Sequence, residues 1–256
     1  MVVKYDGYLI DLDGTMYLGS EPIPEAQGFI EKLDQAHIPY LYVTNNSSKT
    51  PEQVAATLRK FDIPATTNQV FTTSQATVQF MLEQVNRKKR VYLIGEEGVR
   101  HEIQKAGFEL TSENPDFVVM GIDRDINYEK LAIATMAVRE GAMFISTNGD
   151  AAIPTERGLL PGNGSITSVV TIATGVKPIF IGKPEAIIME QAIAKLGVKK
   201  ERVIMVGDNY ETDILAGIRF GIDTLIVHTG FTSPEQLAMK EVQPIHRVMN
   251  LSEWEL

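Results

Sequence analysis

The sequence predicts an α/β fold with a doubly wound, Rossmann-like parallel sheet, and two observations support this prediction. Short apolar runs of buried-strand length alternate with longer segments of helical periodicity, which is typical of a parallel sheet covered by helices. In addition, Pro51 and Pro184 fall in the predicted first turns of two helices, where the missing N–H of proline costs least.

The elements follow one another in chain order as apolar runs and periodic segments. The predicted strands are Gly7–Leu12, Tyr40–Thr44, Arg90–Gly95, Asp116–Gly121, Met143–Thr147, Pro178–Ile181, Val203–Gly207 and Thr224–Val227. The predicted helices are Pro24–Gln35, Pro51–Phe61, Ser74–Val85, Glu97–Ala106, Tyr128–Glu140, Ile166–Ala173, Glu185–Leu196 and Glu211–Phe220. Charged or Gly/Pro breaks at Asn86–Arg90 and Thr174–Pro178 are predicted to be crossings between two lobes.

Composition excludes several classes of function. The chain has 256 residues, of which 44% are hydrophobic and 22% charged, enough for one large domain or two small ones. Its net charge of −9 argues against nucleic acid or an anionic membrane as the main partner, because both are densely negative. The absence of cysteine excludes disulfides, thiolate zinc sites and a cysteine nucleophile.

The first residues do not have the pattern of a targeting segment. Acidic residues interrupt the apolar stretch after a few positions, so it is too short for a signal peptide or a membrane span. We therefore expect a soluble, cytoplasmic protein, and a homo-oligomer is an open alternative to a monomer.

Carboxylates follow two separate predicted strands. Asp11 and Asp13 come at the end of the first strand, and Asp208 follows Val203–Gly207, with Asp213 at the start of the next helix. One aspartate after a strand is more often a turn former or helix cap, but four acids in two matching contexts favour a site. Oxygen-only ligands at this edge of an α/β sheet suit Mg²⁺.

Two further segments supply groups that bind phosphate. Thr44, Asn45 and Asn46, followed by two serines, lie between a buried strand and a helix, where their donors can hold phosphate oxygens. Alone, such a run is a polar turn with a helix cap. Lys183 follows a strand that we expect to be central, where its charge can neutralise a phosphate and a nucleophile.

Four short segments resemble, in residue type and in order, the four motifs of the haloacid dehalogenase superfamily: DLDGT, TNN, GKP and GDNYETD. The long insertion between Thr44 and Lys183 resembles the C2-type cap of the NagD-like phosphatases, whose relatives include pyridoxal phosphate and para-nitrophenyl phosphatases. One departure is Gly149, where that subfamily more often has proline.

The resemblance implies a core domain of residues 1–79 and 177–256, with a cap domain of residues 80–176 inserted in it. It implies that Asp11 is the nucleophile, and that Asp13 protonates the leaving oxygen and then activates water. Partial burial under the cap is expected to keep Asp13 protonated. The other implied roles are Mg²⁺ binding by Asp11, the Asp13 carbonyl and Asp208, phosphate binding by Thr44, Asn45, Asn46 and the catalytic Lys183, and outer positions around the metal for Asn209 and Asp213.

The function implied is a Mg²⁺-dependent phosphatase that acts on small phosphorylated metabolites through an aspartyl-phosphate on Asp11. Sugar phosphates, nucleoside monophosphates and pyridoxal phosphate are all open as substrates. The alternatives are a phosphotransferase on the same scaffold and a noncatalytic module that binds phosphorylated ligands. We expect substitutions in Asn148–Ser165 to change the ranking of substrates. The glycine-rich start of the helix near Ile166 either presents N–H groups to substrate or is a turn with a serine cap.

Overall fold

The computed structural model describes residues 4–84, 89–155 and 157–256, and it confirms the α/β class. Residues 86–88 of the predicted basic crossing lie outside the described part of the chain. No helix within the described ranges has the length and apolar character needed to cross a membrane.

Strands and helices alternate along most of the chain. The helices are α1 Pro24–Gln35, α2 Pro51–Lys60, α3 Thr73–Leu82, α4 Glu97–Lys105, α5 Tyr128–Arg139, α6 Asn163–Thr174, α7 Ala186–Leu196, α8 Leu215–Phe220 and α9 Pro234–Ala238. The strands are β1 Gly7–Ile10, β2 Tyr17–Leu18, β3 Glu21–Pro22, β4 Tyr40–Thr44, β5 Val70–Thr72, β6 Arg90–Ile94, β7 Glu109–Leu110, β8 Phe117–Met120, β9 Met143–Ser146, β10 Ala152–Thr155, β11 Gly158–Pro161, β12 Ile179–Phe180, β13 Val203–Gly207, β14 Asp223–Val227 and β15 His246–Val248.

The chain forms two compact units. We call residues 1–44, 52–71 and 183–256 the first unit, and residues 45–51 and 72–182 the second unit. The first unit contains a six-stranded sheet in the order β15-β14-β13-β1-β4-β5. Strand β1 pairs in parallel with β13 on one side and with β4 on the other, so the carboxyl ends of these three strands meet at one edge.

Helices cover both faces of the six-stranded sheet. Phe29 of α1 and Leu58 of α2 share a buried cluster with Tyr8 and Ile10 of β1. On the opposite face, α8 approaches β13 closely, and a Cβ added to Gly217 would lie 3.4 Å from the Cβ of Met205. The sheet is therefore doubly wound, as predicted, because neighbouring residues of buried parallel strands pack against helices on opposite sides.

The second unit has its own parallel sheet in the order β12-β9-β8-β6-β7, with a separate hairpin of β10 and β11. Its buried cluster joins Val118 and Met120 of β8 with Ala134 and Val138 of α5 and Val170 of α6. No strand is predicted from the sequence between Thr147 and Ile166, so this hairpin was missed.

Several other boundaries differ from the predicted ones. The predicted strand Pro178–Ile181 contains only the two-residue strand β12, which is the edge strand of the second unit's sheet and pairs with β9. Lys183 therefore does not follow a central strand. Helix α7 begins at Ala186, after a cis peptide bond between Lys183 and Pro184, so Pro184 is not in a first helical turn.

The compact units also differ from the predicted domain bounds. The chain passes between units at residues 44–45, 51–52, 71–72 and 182–183, whereas the predicted bounds lie only at 79–80 and 176–177. Helix α3 packs with α4, and β12 extends the sheet of β9, which assigns both segments to the second unit. The assignment of a catalytic core to one unit and a cap to the other stays a prediction.

Candidate active site

Lys183 is the centre of a buried ion-pair cluster in the first unit. Its Nζ atom lies 2.5 Å from Oδ1 of Asp11 and 2.8 Å from Oδ1 of Asp213, and it donates to the carbonyl oxygen of Val43 at 2.8 Å. Only 1% of the Lys183 side chain is exposed. The lysine thus links the residue that follows β1 with the end of β4 and with the turn before α8.

Asp208 follows β13, beside Asp11 at the same sheet edge. Its Oδ2 atom accepts the backbone N–H of Phe231 at 2.6 Å, and its Oδ1 atom accepts the hydroxyl of Thr15 at 3.3 Å. Oxygen atoms of Asp11, Asp208 and Asp213 lie within 4.8 Å of one another. The structure therefore gathers three of the four predicted carboxylates into one group.

A π-helical turn, Tyr210–Ile214, carries Asp213 in place of the regular first turn that the sequence predicts. The Oδ2 atom of Asp213 accepts the backbone N–H of Asn209 at 3.1 Å, and its Oδ1 atom accepts the hydroxyl of Thr212 at 3.2 Å. The side chain of Asn209 accepts the backbone N–H of Glu211 and so caps the turn. These bonds hold Asp213 against the ammonium group of Lys183.

The charges in the cluster do not balance. Burial raises the pKa of the Asp11 carboxyl well above its usual range. The charge of Asp213 raises this pKa further, whereas the charge of Lys183 lowers it. Burial, together with the charge of Asp213, raises the pKa of Asp208 to about 7. Burial alone would lower the pKa of Lys183, but the charges of Asp11 and Asp213 outweigh it and raise that pKa. Three carboxylates thus share one ammonium group.

This donor set fits a divalent cation. The carboxylates supply hard oxygen ligands, and a cation of charge +2 would neutralise the excess negative charge that raises the pKa values of Asp11 and Asp208. All three carboxylates also meet protein donors: Asp11 and Asp213 contact Lys183, and Asp208 accepts the N–H of Phe231 and the hydroxyl of Thr15.

Asp13 does not have the environment that the sequence suggested. Its side chain is exposed, and its Oδ1 atom accepts the backbone N–H of Gly19 at 3.1 Å. The partial burial expected to keep it protonated is not found in the structure. The contact with Gly19 ties Asp13 to the short β2–β3 hairpin.

The segment after β14 belongs to the site, although the sequence did not single it out. A Cβ added to Gly230 would lie 2.1 Å from Oδ2 of Asp208, and one added to Gly14 would lie 2.2 Å from the same atom. The hydroxyl of Thr229 donates to the carbonyl oxygen of Gly14 at 2.6 Å. The signal that could have found this segment is its position after a strand next to β13.

The predicted phosphate-binding run divides between the two units. Thr44 ends β4 in the first unit and is 7% exposed. Asn45 and Asn46 belong to the second unit, where the amide nitrogen of Asn45 donates to the carboxylate of Asp150. The Oδ1 atom of Asn46 accepts the N–H groups of Ser48 and Lys49, each at 2.9 Å, and so forms a local turn before α2.

The hydrogen bonds at the start of α6 decide between the two alternatives for its glycine-rich sequence, N–H groups presented to substrate or a turn with a serine cap. The backbone N–H of Gly164 donates to the carbonyl oxygen of Asp150, and the hydroxyl of Ser165 donates to that of Ala151. The N-cap residue is Gly162. Neither a serine cap nor an open Gly164 N–H is therefore present.

Family models match both ends of the chain. A model described as haloacid dehalogenase-like hydrolase matches residues 8–109, and a second, described as HAD-hydrolase-like, matches residues 180–254. Together these ranges include Asp11, Thr44, Lys183, Asp208 and Asp213.

Characterised relatives are similar over nearly the whole chain. The chain is 60% identical to the 5′-nucleotidase YutF of Bacillus subtilis over 250 residues, which is 98% of this chain and 97% of that protein. It is 51% identical to the acid sugar phosphatase of Staphylococcus epidermidis, over 97% of this chain and 96% of that protein.

Solved structures show the same similarity. A single mutant of the thermostable NPPase from Geobacillus stearothermophilus matches with a TM-score of 0.93 and 53% identity, over 99% of each chain. NagD from E. coli K-12 matches with a TM-score of 0.92 and 30% identity, over 98% of this chain and 99% of that one.

Proposed function

This chain belongs to the haloacid dehalogenase-like hydrolases and to their NagD-like group, and we propose that it is a Mg²⁺-dependent phosphatase whose nucleophile is Asp11. Its relatives carry the names of phosphatases that act on different phosphoric monoesters, and this chain is a phosphoric monoester hydrolase. The observation that carries the proposal is the buried contact between Lys183 and Asp11, next to Asp208.

Lys183 supports Asp11 as a nucleophile in two ways. Its contact with Oδ1 fixes the rotamer of Asp11, so the carboxylate is oriented before substrate arrives. Its ammonium group also offsets the repulsion between an anionic nucleophile and a phosphate dianion. Asp213 holds the ammonium group from the other side, because its Oδ1 atom lies 2.8 Å from Nζ.

The proposed reaction proceeds through a covalent intermediate. An oxygen of Asp11 attacks phosphorus while the ester oxygen departs, which forms an aspartyl-phosphate. Asp13 gives its proton to the departing oxygen, and then takes a proton from the water that attacks the phosphorus. This second attack releases inorganic phosphate and restores Asp11.

Mg²⁺ is the proposed metal, with Asp11, the carbonyl oxygen of Asp13 and Asp208 as its protein ligands. When bound, it would neutralise charge on the transferring phosphoryl group. Asp208 is preorganised for this role by the Phe231 N–H and the Thr15 hydroxyl. Asn209 and Asp213 would not bind the metal directly. Asn209 would shape the turn, and Asp213 would orient Lys183.

Thr44, Asn45, Asn46 and Lys183 are proposed to hold the phosphate group. The relatives' names, 5′-nucleotidase and acid sugar phosphatase, favour nucleoside monophosphates and sugar phosphates as substrates, with pyridoxal phosphate as a third candidate. We also propose that the second unit selects the leaving group. The cytoplasmic location and the oligomeric state stay predictions.

Phosphate release from a panel of these three substrate classes, in Mg²⁺ buffer, tests the proposal. A clear preference for one class would identify the substrate. The same assay with an added alcohol acceptor tests the phosphotransferase alternative, because transfer would yield a new phosphate ester in place of inorganic phosphate. If the protein binds these esters without turnover, the noncatalytic binding module would be the better interpretation.

A further inference from the structure

The amide of Asn45 is held by a residue 105 positions later in the chain. Its Nδ2 atom donates to both carboxylate oxygens of Asp150, at 3.0 and 3.3 Å. Both residues belong to the second unit and are half-buried. Because a carboxylate can only accept hydrogen bonds, this contact fixes which end of the amide faces Asp150. The Oδ1 atom of Asn45 must therefore point elsewhere.

Asn148 connects the same two residues through a second pair of bonds. Its amide nitrogen donates to the carbonyl oxygen of Asn45 at 2.8 Å, and its Oδ1 atom accepts the backbone N–H of Asp150 at 3.1 Å. Asn148 is 5% exposed, and its own carbonyl oxygen accepts the amide of Asn163 at 3.0 Å. The backbone of Asn45 and the position of Asp150 are thus set by one buried side chain.

Glycines allow the close packing around these contacts. A Cβ added to Gly182 would lie 2.5 Å from Oδ1 of Asn45, so this position accepts no side chain while the amide keeps its orientation. A Cβ added to Gly162 would lie 2.1 Å from the carbonyl oxygen of Asp150. These two glycines therefore allow backbone to approach the amide oxygen of Asn45 and the main chain of Asp150.

We infer that Asp150 is a positioning residue that orients the amide of Asn45 for binding the substrate's phosphate group. The inference rests on the proposed function, which gives Asn45 its role in phosphate binding. Without the acceptor at Asp150, the amide can rotate and present its oxygen to an anion, which would repel it.

This role differs from the one that the sequence suggested for Asn148–Ser165. Substitutions in that segment were expected to change the ranking of substrates. A residue that acts through Asn45 should instead weaken binding of every phosphate ester by a similar factor, because all of them share the phosphate group. Inorganic phosphate is therefore the right probe, since it has no leaving group.

The experiment measures the inhibition constant of inorganic phosphate, with p-nitrophenyl phosphate as substrate in Mg²⁺ buffer. Asp150→Ala and Asn45→Ala are each expected to raise this constant by about tenfold, the size expected for one hydrogen bond to a charged group. The double variant is expected to match Asn45→Ala alone, because the first change removes the group through which Asp150 acts.

Two further variants separate positioning from folding. In the exchange variant, Asp150→Asn is combined with Asn45→Asp, which preserves a hydrogen bond between the two positions. This variant is expected to keep the melting temperature of the wild type but to be inhibited only weakly by phosphate. Asp116→Ala is the matched control, because it removes a part-buried carboxylate paired with Arg90 at the amino ends of β6 and β8. It is expected to leave the inhibition constant unchanged.

The outcomes distinguish this inference from the proposed function. If Asn45→Ala leaves phosphate inhibition unchanged while the wild-type enzyme turns over, the inference is wrong and the phosphatase assignment stands. Additive losses in the double variant would also overturn it. If the wild-type protein hydrolyses no ester, the proposed function is wrong, and calorimetric titration with inorganic phosphate and Mg²⁺ then applies the same double-variant comparison.

Discussion

Replacement of Lys183 by methionine tests whether the buried ion pairs hold the first unit together. The substitution keeps the apolar stem but removes a fully buried ammonium group with contacts of 2.5 and 2.8 Å to two carboxylates. Loss of one partner from a buried ion pair typically costs about 3–5 kcal/mol, because the remaining charges lose their compensation. For a chain of this size we expect the melting temperature to fall by about 6–20 °C.

The assay is thermal unfolding in EDTA, so that bound metal does not alter the comparison. Arg202→Met is the control, because Arg202 pairs with Asp6 at 2.9 Å but both side chains are largely exposed. An exposed pair of this kind contributes little to stability, because solvent screens its charges. The reasoning would be refuted if Lys183→Met destabilised the protein no more than Arg202→Met.

The pH dependence of this loss gives a second check. The pKa values of Asp11 and Asp208 are raised in the folded state. At a pH between the unfolded-state pKa and the folded-state pKa of these residues, the native protein therefore binds more protons than the unfolded chain does. Stability in metal-free buffer therefore increases as the pH falls through that window, by about 1.4 kcal/mol per pH unit for each such proton. Lys183→Met should accordingly be least damaging near pH 5. A loss that grew on acidification would contradict this account.

Three further predictions concern the metal and its ligands. EDTA should abolish activity, and full turnover without metal would exclude the assignment of a metal to this site. Asp208→Ala should raise the Mg²⁺ concentration needed for the half-maximal rate more than Asp213→Ala does. Calorimetry should show Mg²⁺ affinity falling as the pH drops below about 7, with proton release on binding, because the pKa of Asp208 is raised to about 7 and only the ionised carboxylate binds. Gly230→Ala should weaken Mg²⁺ binding, because the added methyl group displaces the Asp208 carboxylate, whereas Gly28→Ala, in open space on α1, should not.

The sequence was sufficient to predict that Asp11 and Asp208 come together. Asp11 and Asp208 follow buried parallel strands, and the carboxyl ends of β1 and β13 meet because those strands are neighbours. The environment of Lys183 was not predictable in the same way. Lys183 lies three residues after the end of the two-residue strand β12, and so short a strand carries no information about which sheet it joins.

Other parts of the site depend on contacts between distant positions. The segment Thr229–Phe231 has the composition of an ordinary turn, and only the order of strands shows that it adjoins Asp208. Likewise, Asp150 and Asn45 are 105 residues apart, and no local pattern predicts their hydrogen bonds. Strand periodicity also missed the β10–β11 hairpin, whose exposed residues lack a buried apolar run.

The most direct test of the central claim is the location of phosphate during turnover. The enzyme is mixed with substrate and Mg²⁺, quenched in acid within a single turnover, digested and examined by mass spectrometry. We predict one phosphoryl group on the peptide that contains Asp11, and none in Asp11→Asn, which should fold normally but not turn over. Phosphate on a different residue, or sustained turnover by Asp11→Asn, would contradict the assignment of Asp11 as the nucleophile.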